Sequence, residues 1–403
     1  MPRPSYPRMQ LGIDRLLTGD VELPPASSVG MLTHSPAVVG GDPTRPSYVA
    51  LHDAGVPITR LFSPEHGLAA NAADGETVPN DTDYTTGLPI VSLYGDHLEP
   101  PPDSLADLDL LVIDLQDIGA RSYTYTWTLW HALHAAARTQ TPCLLLDRPN
   151  PITCDLDACE GPMLDPACAT FLGRYPMPIR HSLTLGELAR HWVDQKIIDA
   201  SLAVLTMHGY DRGMSWQDTG LPWTPSSPAI RRPQTAWLYP ALCFLEATTL
   251  SLGRGTPHPF EAVLGPSLNA EPLAEAINNT WGDLLKAQPI EATPDNSRQE
   301  GSRLSGVHLE VIDTDNWRPV SFGLWLLAEI MASHPDHFAW ASYPTRAHPS
   351  GQDHLIRLLG VSDAVTRIEQ AAALEAGPRR VILQQSTACP AWRETVSHAC
   401  LYT

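Results

Sequence analysis

Along the first half of the chain, short unbroken apolar runs recur at intervals that leave room for a helix between them. The segments SVGMLTH (28–34), VPITRLFSP (56–64), LPIVSLYG (88–95), LDLLVID (108–114), PCLLLDRPNP (142–151) and SLAVLTMHG (201–209) each read as a strand. LDLLVID is apolar at nearly every position, so it needs cover on both faces, as an interior strand of a parallel sheet has. Between the runs, PSYVALHDAG (46–55) and TWTLWHALHAAART (126–139) read as helices, the latter with clear helical spacing of its apolar positions. Thr184 and Glu187 form a capping box that starts a further helix ending near Lys196. This alternation predicts right-handed parallel crossovers, and hence an α/β fold with a Rossmann-like, doubly wound parallel sheet.

Beyond Ala236 the pattern weakens. It predicts helices over 237–250, 271–287, 321–333, 353–359 and 362–376, a polar break at 293–306, and one strand, VHLEVID (307–313). The expected organisation is a Rossmann-like domain over residues 1–250 and a smaller C-terminal α/β domain over 251–403 that closes a cleft. A chain of 403 residues fits two such units.

A formal charge of -19 with only 26 Lys and Arg argues against nucleic-acid binding, which needs a basic face. No stretch approaches a membrane span, and the N-terminal MPRPSYPRMQLGIDRLL lacks the apolar segment of an export signal. Seven cysteines, an odd number, fit a reducing compartment better than a disulfide framework, so a cytoplasmic location is expected. Cys154, Cys159 and Cys168 lie close in sequence but lack a CxxC or a matching His, and no metal site is expected.

Chemistry enters where the strands end. In the expected topology Glu65–His66, Gln116–Asp117, Arg148–Asn150 and His208–Asp211 line one edge of the sheet, where open α/β sheets hold ligands. Residues 68–88 form a long aperiodic loop, of the kind that carries function in compact domains. The turn after the first strand, THSPAVVGGD, is not G-x-G-x-x-G, and the chain has no P-loop, H-E-x-x-H or G-x-S-x-G. No cofactor is therefore expected. Carboxylates, arginines, amides and aromatics remain, a mixture that suits carbohydrate chemistry, in which one carboxyl protonates the leaving oxygen. Glu65 in SPEHG is the acid candidate, since Gly67 allows a sharp turn and burial raises a carboxyl pKa. The alternative for a single Glu is a solvated loop position. Tyr123 and Tyr125 are read as either a sugar platform or core packing, and Trp127 and Trp130 as core.

The blocks FSPEHG (62–67), TGLPIVSLYG (86–95), DLQDIGARSYTYTWT (114–128), LDRPNPI (146–152), EGP (160–162), HSLTLGELA (181–189) and LEATTLSLGRGTPHPFE (245–261) extend this reading. In content and order they resemble the exo-β-N-acetylmuramidases, the NamZ-like peptidoglycan glycosidases. The resemblance spans about residues 30 to 390. It implies a Rossmann-like domain with a smaller C-terminal domain, a cleft between them, and release of N-acetylmuramic acid from the non-reducing end of peptidoglycan fragments. It places catalytic glutamates at Glu65 and Glu160, and offers Arg121, Arg148 and Arg254 for the lactyl carboxylate, which suits a guanidinium fork. His66, Gln116, Asp117, Tyr123, Tyr125 and Asn150 complete the expected binding set. Two positions depart from the family pattern: His34 and Ala229 stand where relatives commonly have Asn. The missing export signal fits recycling of imported muropeptides. A binding protein for muropeptides or other sugars that has lost turnover is the second reading.

Overall fold

The computed structural model describes residues 9–403; the first eight, part of the stretch read as lacking an export signal, lie outside the described residues. Strands β1 (Val29–Thr33), β2 (Ile58–Ser63), β3 (Asp81–Thr82), β4 (Pro89–Ser92), β5 (Leu110–Asp114), β6 (Cys143–Leu146) and β7 (Leu202–Leu205) form one sheet in the order β3-β4-β2-β1-β5-β6-β7. All neighbours are parallel except the short β3, which runs antiparallel to β4. Successive side chains of β5 and β6 enter different cores. Leu111, Ile113, Cys143 and Leu145 join one cluster, while Leu110, Val112, Leu144 and Leu146 join the other. Burial of both faces removes the polar alternation a one-sided strand would show.

Helices α1 (Gly12–Leu17) and α2 (Ser47–Asp53) cover the second core, and α3 (Tyr125–Thr139) and α4 (Leu185–Asp194) the first, giving the doubly wound arrangement. Chain order departs in opposite directions from β1 and β5, so a topological switch point opens between their C-terminal ends. Thr184 caps α4 by accepting from Glu187 N, as the capping box requires.

Helix α5 (Pro233–Leu242), followed by a 3₁₀ segment Cys243–Ala247, leads into the C-terminal part. There β8 (Ala262–Gly265), α6 (Ala270–Trp281), β9 (Leu285–Ala292), β10 (Leu304–Val311) and α7 (Pro319–Ser333) build an antiparallel sheet, order β8-β10-β9, against two helices. Four helices close the chain: α8 (His354–Leu359), α9 (Ala364–Ala372), α10 (Ala376–Thr387) and α11 (Pro390–Val396). The helix expected over 271–287 stops at Trp281 and the chain re-enters as β9, whose sequence LKAQPIEA is largely exposed and shows no apolar run. Strand β8 and helices α10 and α11 were also not anticipated. No helix among the described residues is long and apolar enough to cross a membrane.

Several polar residues at the strand ends turn inward and hold the fold. Arg148 donates from Nε and Nη2 to both oxygens of Asp114, at 2.5 and 2.9 Å, and from Nη2 to Val38 O, with both side chains buried. Asn150 donates to Leu183 O and accepts from Ile152 N, and Gln116 donates to the carbonyls of Asp117 and Pro149. A Cβ on Gly119 would fall 2.1 Å from Asn150 Oδ1, so only glycine allows this close approach. Removing one member of a buried ion pair leaves the other uncompensated. Arg148→Leu is accordingly expected to lower the unfolding free energy by about 3–5 kcal/mol, read as a drop in the urea midpoint; a loss below about 1 kcal/mol would contradict the buried pairing.

Candidate active site

Strand β2 delivers Pro64 and Glu65 to the carboxyl edge of the sheet, where the chain reverses sharply. His66 (φ 68°) and Gly67 (φ 75°) both adopt left-handed backbone. For His66 that conformation is strained, and it is held by Asn71 N and Ala72 N donating to its carbonyl and by its Nδ1 at 2.9 Å from Ala72 O. The loop then returns over the glutamate. Gly75 N donates to Glu65 Oε1 at 3.0 Å, and Thr124 Oγ1 donates to Oε2 at 2.7 Å. Gly75 (φ 68°) packs under Thr345, so the C-terminal part presses the loop down.

This return places Asp74 beside Glu65. Donor atoms of Glu65, His66 and Asp74 all lie within 4.8 Å of one another. Arg254, from the turn before β8, stands over the Phe260 ring at 4.7 Å and reaches Asp74 Oδ1 at 3.4 Å and Glu246 Oε1 at 2.9 Å. Tyr343 donates to Asp74 Oδ2 at 2.5 Å, and His354, stacked on Tyr343, sits 3.3 Å from Glu246 Oε2. The cleft encloses about 810 Å³ measured out to solvent, and its walls come from both parts of the chain. Thr170–Leu172 and Ala229 face it from one side, Tyr343, His348 and Arg357 from the other.

The two carboxyls are driven apart electrostatically. Burial raises the Glu65 pKa above the ordinary carboxylate range, and the neighbouring Asp74 adds to this against the lowering effects of His66, Thr124 and Gly75. Burial acts the same way on Asp74, but Arg254, His66 and the Tyr343 hydroxyl outweigh it and hold its carboxyl below the ordinary value. Asp74 also keeps 29% of its side chain exposed. Tyr94, whose hydroxyl pKa is raised by burial and then by Glu65 and Asp74, completes this wall and keeps its proton.

Residues 29–234 match the family model described as Exo-beta-N-acetylmuramidase NamZ, N-terminal, and residues 237–402 match its C-terminal counterpart. The chain belongs to the NamZ family. It is 35% identical over 336 residues to the peptidoglycan beta-N-acetylmuramidase NamZ of Bacillus subtilis (strain 168), covering 83% of this chain and 80% of that protein. A crystal structure of a DUF1343 family protein from Bacteroides fragilis NCTC 9343 superposes with a TM-score of 0.81 at 29% identity, over 98% of this chain and 99% of that one. A second DUF1343 family protein from the same strain gives 0.71 at 22%, with the same coverage, and shares the fold.

Of the residues anticipated from the sequence, Glu65, His66, Tyr123 and Arg254 line the NamZ cleft. Glu160 does not meet Glu65. It lies on a loop bridging to Arg180, where its carboxylate accepts from Val320 N, Ser321 N and Ser321 Oγ at the first turn of α7. That is a helix cap joining the two parts of the chain. Arg121 is fully buried and donates to the carbonyls of Pro162, Met177 and Leu358, so its guanidinium faces no ligand space. Arg148, Asn150 and Gln116 belong to the knot beneath the cleft, with Asp117 beside them, its carboxyl pushed up to about 7 by burial. Tyr125 is also buried, bonding Ser226 O at 2.6 Å, and Tyr123 contributes wall with its hydroxyl on Ser226 Oγ. His34 accepts from Gln116 N, is held neutral by burial with its pKa down at about 3, and lies below the cleft; Ala229 lies in its wall.

Asp74, Tyr94, Glu246, Tyr343 and His354 were missed. Asp74 fell in the aperiodic loop, and Tyr94 and Glu246 in quoted blocks, whereas nothing near Tyr343 or His354 marked them. Loss of an N-terminal cap costs about 0.5–2 kcal/mol. Glu160→Ala is thus expected to lower the melting temperature while kcat/KM below the transition changes less than about threefold; a drop of about 100-fold or more, the scale of a lost acid or base, would return Glu160 to the chemistry.

Proposed function

We propose that this NamZ family member is an exo-acting β-N-acetylmuramidase that releases N-acetylmuramic acid from the non-reducing end of peptidoglycan fragments, using Glu65 and Asp74. The observation that supports this pair is their opposite displacement in pKa across a shared cleft. In glycoside hydrolysis one carboxyl must carry a proton to the leaving oxygen while the other stays ionised to stabilise or attack the anomeric carbon. Glu65 is the acid, and Asp74 is the ionised partner. Their nearest carboxylate oxygens lie within 4.8 Å of each other, which supports the close pairing of retaining enzymes over the roughly 6.5–9.5 Å gap that admits a water in inverting ones. Net retention follows whether Asp74 attacks directly or steadies an attacking 2-acetamido oxygen.

Arg254 is engaged by Asp74 and Glu246, so its role in this reading is to hold Asp74 charged; Arg357 is the nearby guanidinium in the cleft wall without a carboxylate among its hydrogen bonds in the described residues. Imported muropeptides in the cytoplasm are the setting this reading assigns. With a complete acid pair in the cleft, the alternative of a sugar-binding protein without turnover is not favoured.

Glu65→Gln should lower kcat on a muramyl disaccharide by roughly 10²–10⁴-fold, and far less on a para-nitrophenyl muramide, whose leaving group needs little protonation. Asp74→Asn should depress both, and proton NMR of early product should show the β-anomer first. Equal losses on both substrates in Glu65→Gln, or initial α-product, would refute the assignment.

The pH profile provides an independent check. Activity requires protonated Glu65, so it falls as pH rises through a pKa raised above the carboxylate range; it requires ionised Asp74, so it falls as pH drops through a lowered one. Arg254→Ala removes the charge that lowers Asp74, and the acidic limb of kcat/KM is expected to move to higher pH. An unmoved limb would exclude Asp74 as its source.

A further inference from the structure

On the far side of the Arg254 turn, His258, Glu261 and His308 converge. His258 Nδ1 lies 4.0 Å and His308 Nε2 3.8 Å from the same oxygen, Glu261 Oε2, and all three donor atoms fall within 4.8 Å of one another. The two imidazole rings are 4.6 Å apart and steeply inclined, not stacked. Both nitrogens are shut off from solvent and neither has a hydrogen-bond partner among the described residues. The Glu261 carboxylate lies within ion-pair range of both nitrogens but too far for a well-formed hydrogen bond, an arrangement open to a third body between them.

We propose that His258, Glu261 and His308 bind a divalent transition-metal ion, with zinc the best match to the donors. Two imidazole nitrogens and one carboxylate oxygen are an established zinc ligand set, with metal–ligand bonds of about 2.0–2.2 Å. Tetrahedral donors at that radius stand roughly 3.3–3.5 Å apart, so small side-chain rotations would close the present spacing. The backbone is already fixed. Glu261 N donates to His258 O, Leu309 N donates to Glu261 O, and His308 is paired with Ala262 in the β10–β8 ladder.

An outer layer orients the carboxylate: Thr235 Oγ1 and Arg232 Nε donate to Oε1 at 2.5 and 2.7 Å. Such supporting bonds are typical of metal sites. Arg232 also reaches Oε2 and would compete with the ion, but 53% of its side chain is exposed and it can swing away while Thr235 holds Oε1. His258 and His308 keep 32% and 21% of their side-chain surface in solvent, so the site lies near the surface and the swing of Arg232 would open the buried nitrogens to the ion and its waters. Binding there would fix the end of the turn that carries Arg254 and Phe260, tying the ion to the cleft through structure instead of chemistry.

The test uses tag-free protein stripped with chelator and titrated with zinc chloride against a chromophoric competitor, with cobalt chloride as a spectroscopic probe. One zinc per chain, a rise in melting temperature and tetrahedral cobalt bands are expected. His258→Ala and His308→Ala should each weaken binding more than about tenfold, since even an outer-layer change costs such sites that much. His258 lies on a turn, so its variant keeps the far-UV circular dichroism of the parent even if substitution in β10 disturbs the sheet. His66→Ala should leave zinc affinity unchanged, which separates this site from the Glu65–His66–Asp74 group. Absence of zinc binding at micromolar concentration, binding that survives both histidine variants, or binding lost only in His66→Ala would overturn the proposal.

Discussion

Two carboxyl groups as close as those of Glu65 and Asp74 cannot both be charged cheaply, and burial of Glu65 together with Arg254 beside Asp74 favours the proton on Glu65. Its guanidinium, packed on Phe260 and shared with Glu246, favours the ionised form of Asp74. The negative charge so fixed then helps keep the proton on Glu65. The opposite displacements therefore arise from burial at Glu65 and from a cation seated beside Asp74. Because Arg254 comes from the turn before β8 and the two carboxyls from the loop after β2, the lowering of Asp74 depends on the two parts of the chain being packed together.

That requirement gives meaning to the buried polar groups that face no ligand. Arg121 spans three carbonyls, two on the loop 162–177 and one at the end of α8. Its pKa is brought down to about 9 by burial, a measure of what desolvating a guanidinium costs and of why three acceptors are needed to offset it. Glu160 clasps the first turn of α7 in the same way, and Ser321 links it onward to Thr387 in α10. These contacts cross between the large sheet and the C-terminal helices. Neither Arg121 nor Glu160 is among the residues that line the cleft.

The large sheet was legible in the sequence because its inner strands are buried on both sides, which writes them as uninterrupted apolar runs. The small sheet was not, since β9 has one face in water and a proline at its centre, and β8 is four residues long. The site was legible in part for a different reason. Polar residues at strand ends are found both in ligand clefts and in the hydrogen-bonded knots beneath them, and residue type does not separate the two. Glu65 and Arg148 look equivalent in sequence; the structure turns one to the cleft and pairs the other with Asp114. The family blocks have the same ambiguity, for a residue essential to domain packing recurs as faithfully as one that touches substrate. Glu160 and Arg121 lie in such blocks. Asp74 could be located only as a member of a long loop, because its importance depends on a return path that no local pattern encodes.

The same return path links protonation to closure. Glu65 is desolvated partly because Gly75 folds back onto it, and Gly75 is seated under Thr345, a residue of the C-terminal part. Separating the two parts would hydrate Glu65, lowering its pKa toward the ordinary value, and at once carry Arg254 away from Asp74, raising that one. Both displacements therefore depend on the two parts being packed together. Walls contributed by both parts suit the end of a sugar chain better than its middle, because a continuous strand would have to thread between them. The geometry that separates the two pKa values thus also favours exo over endo action.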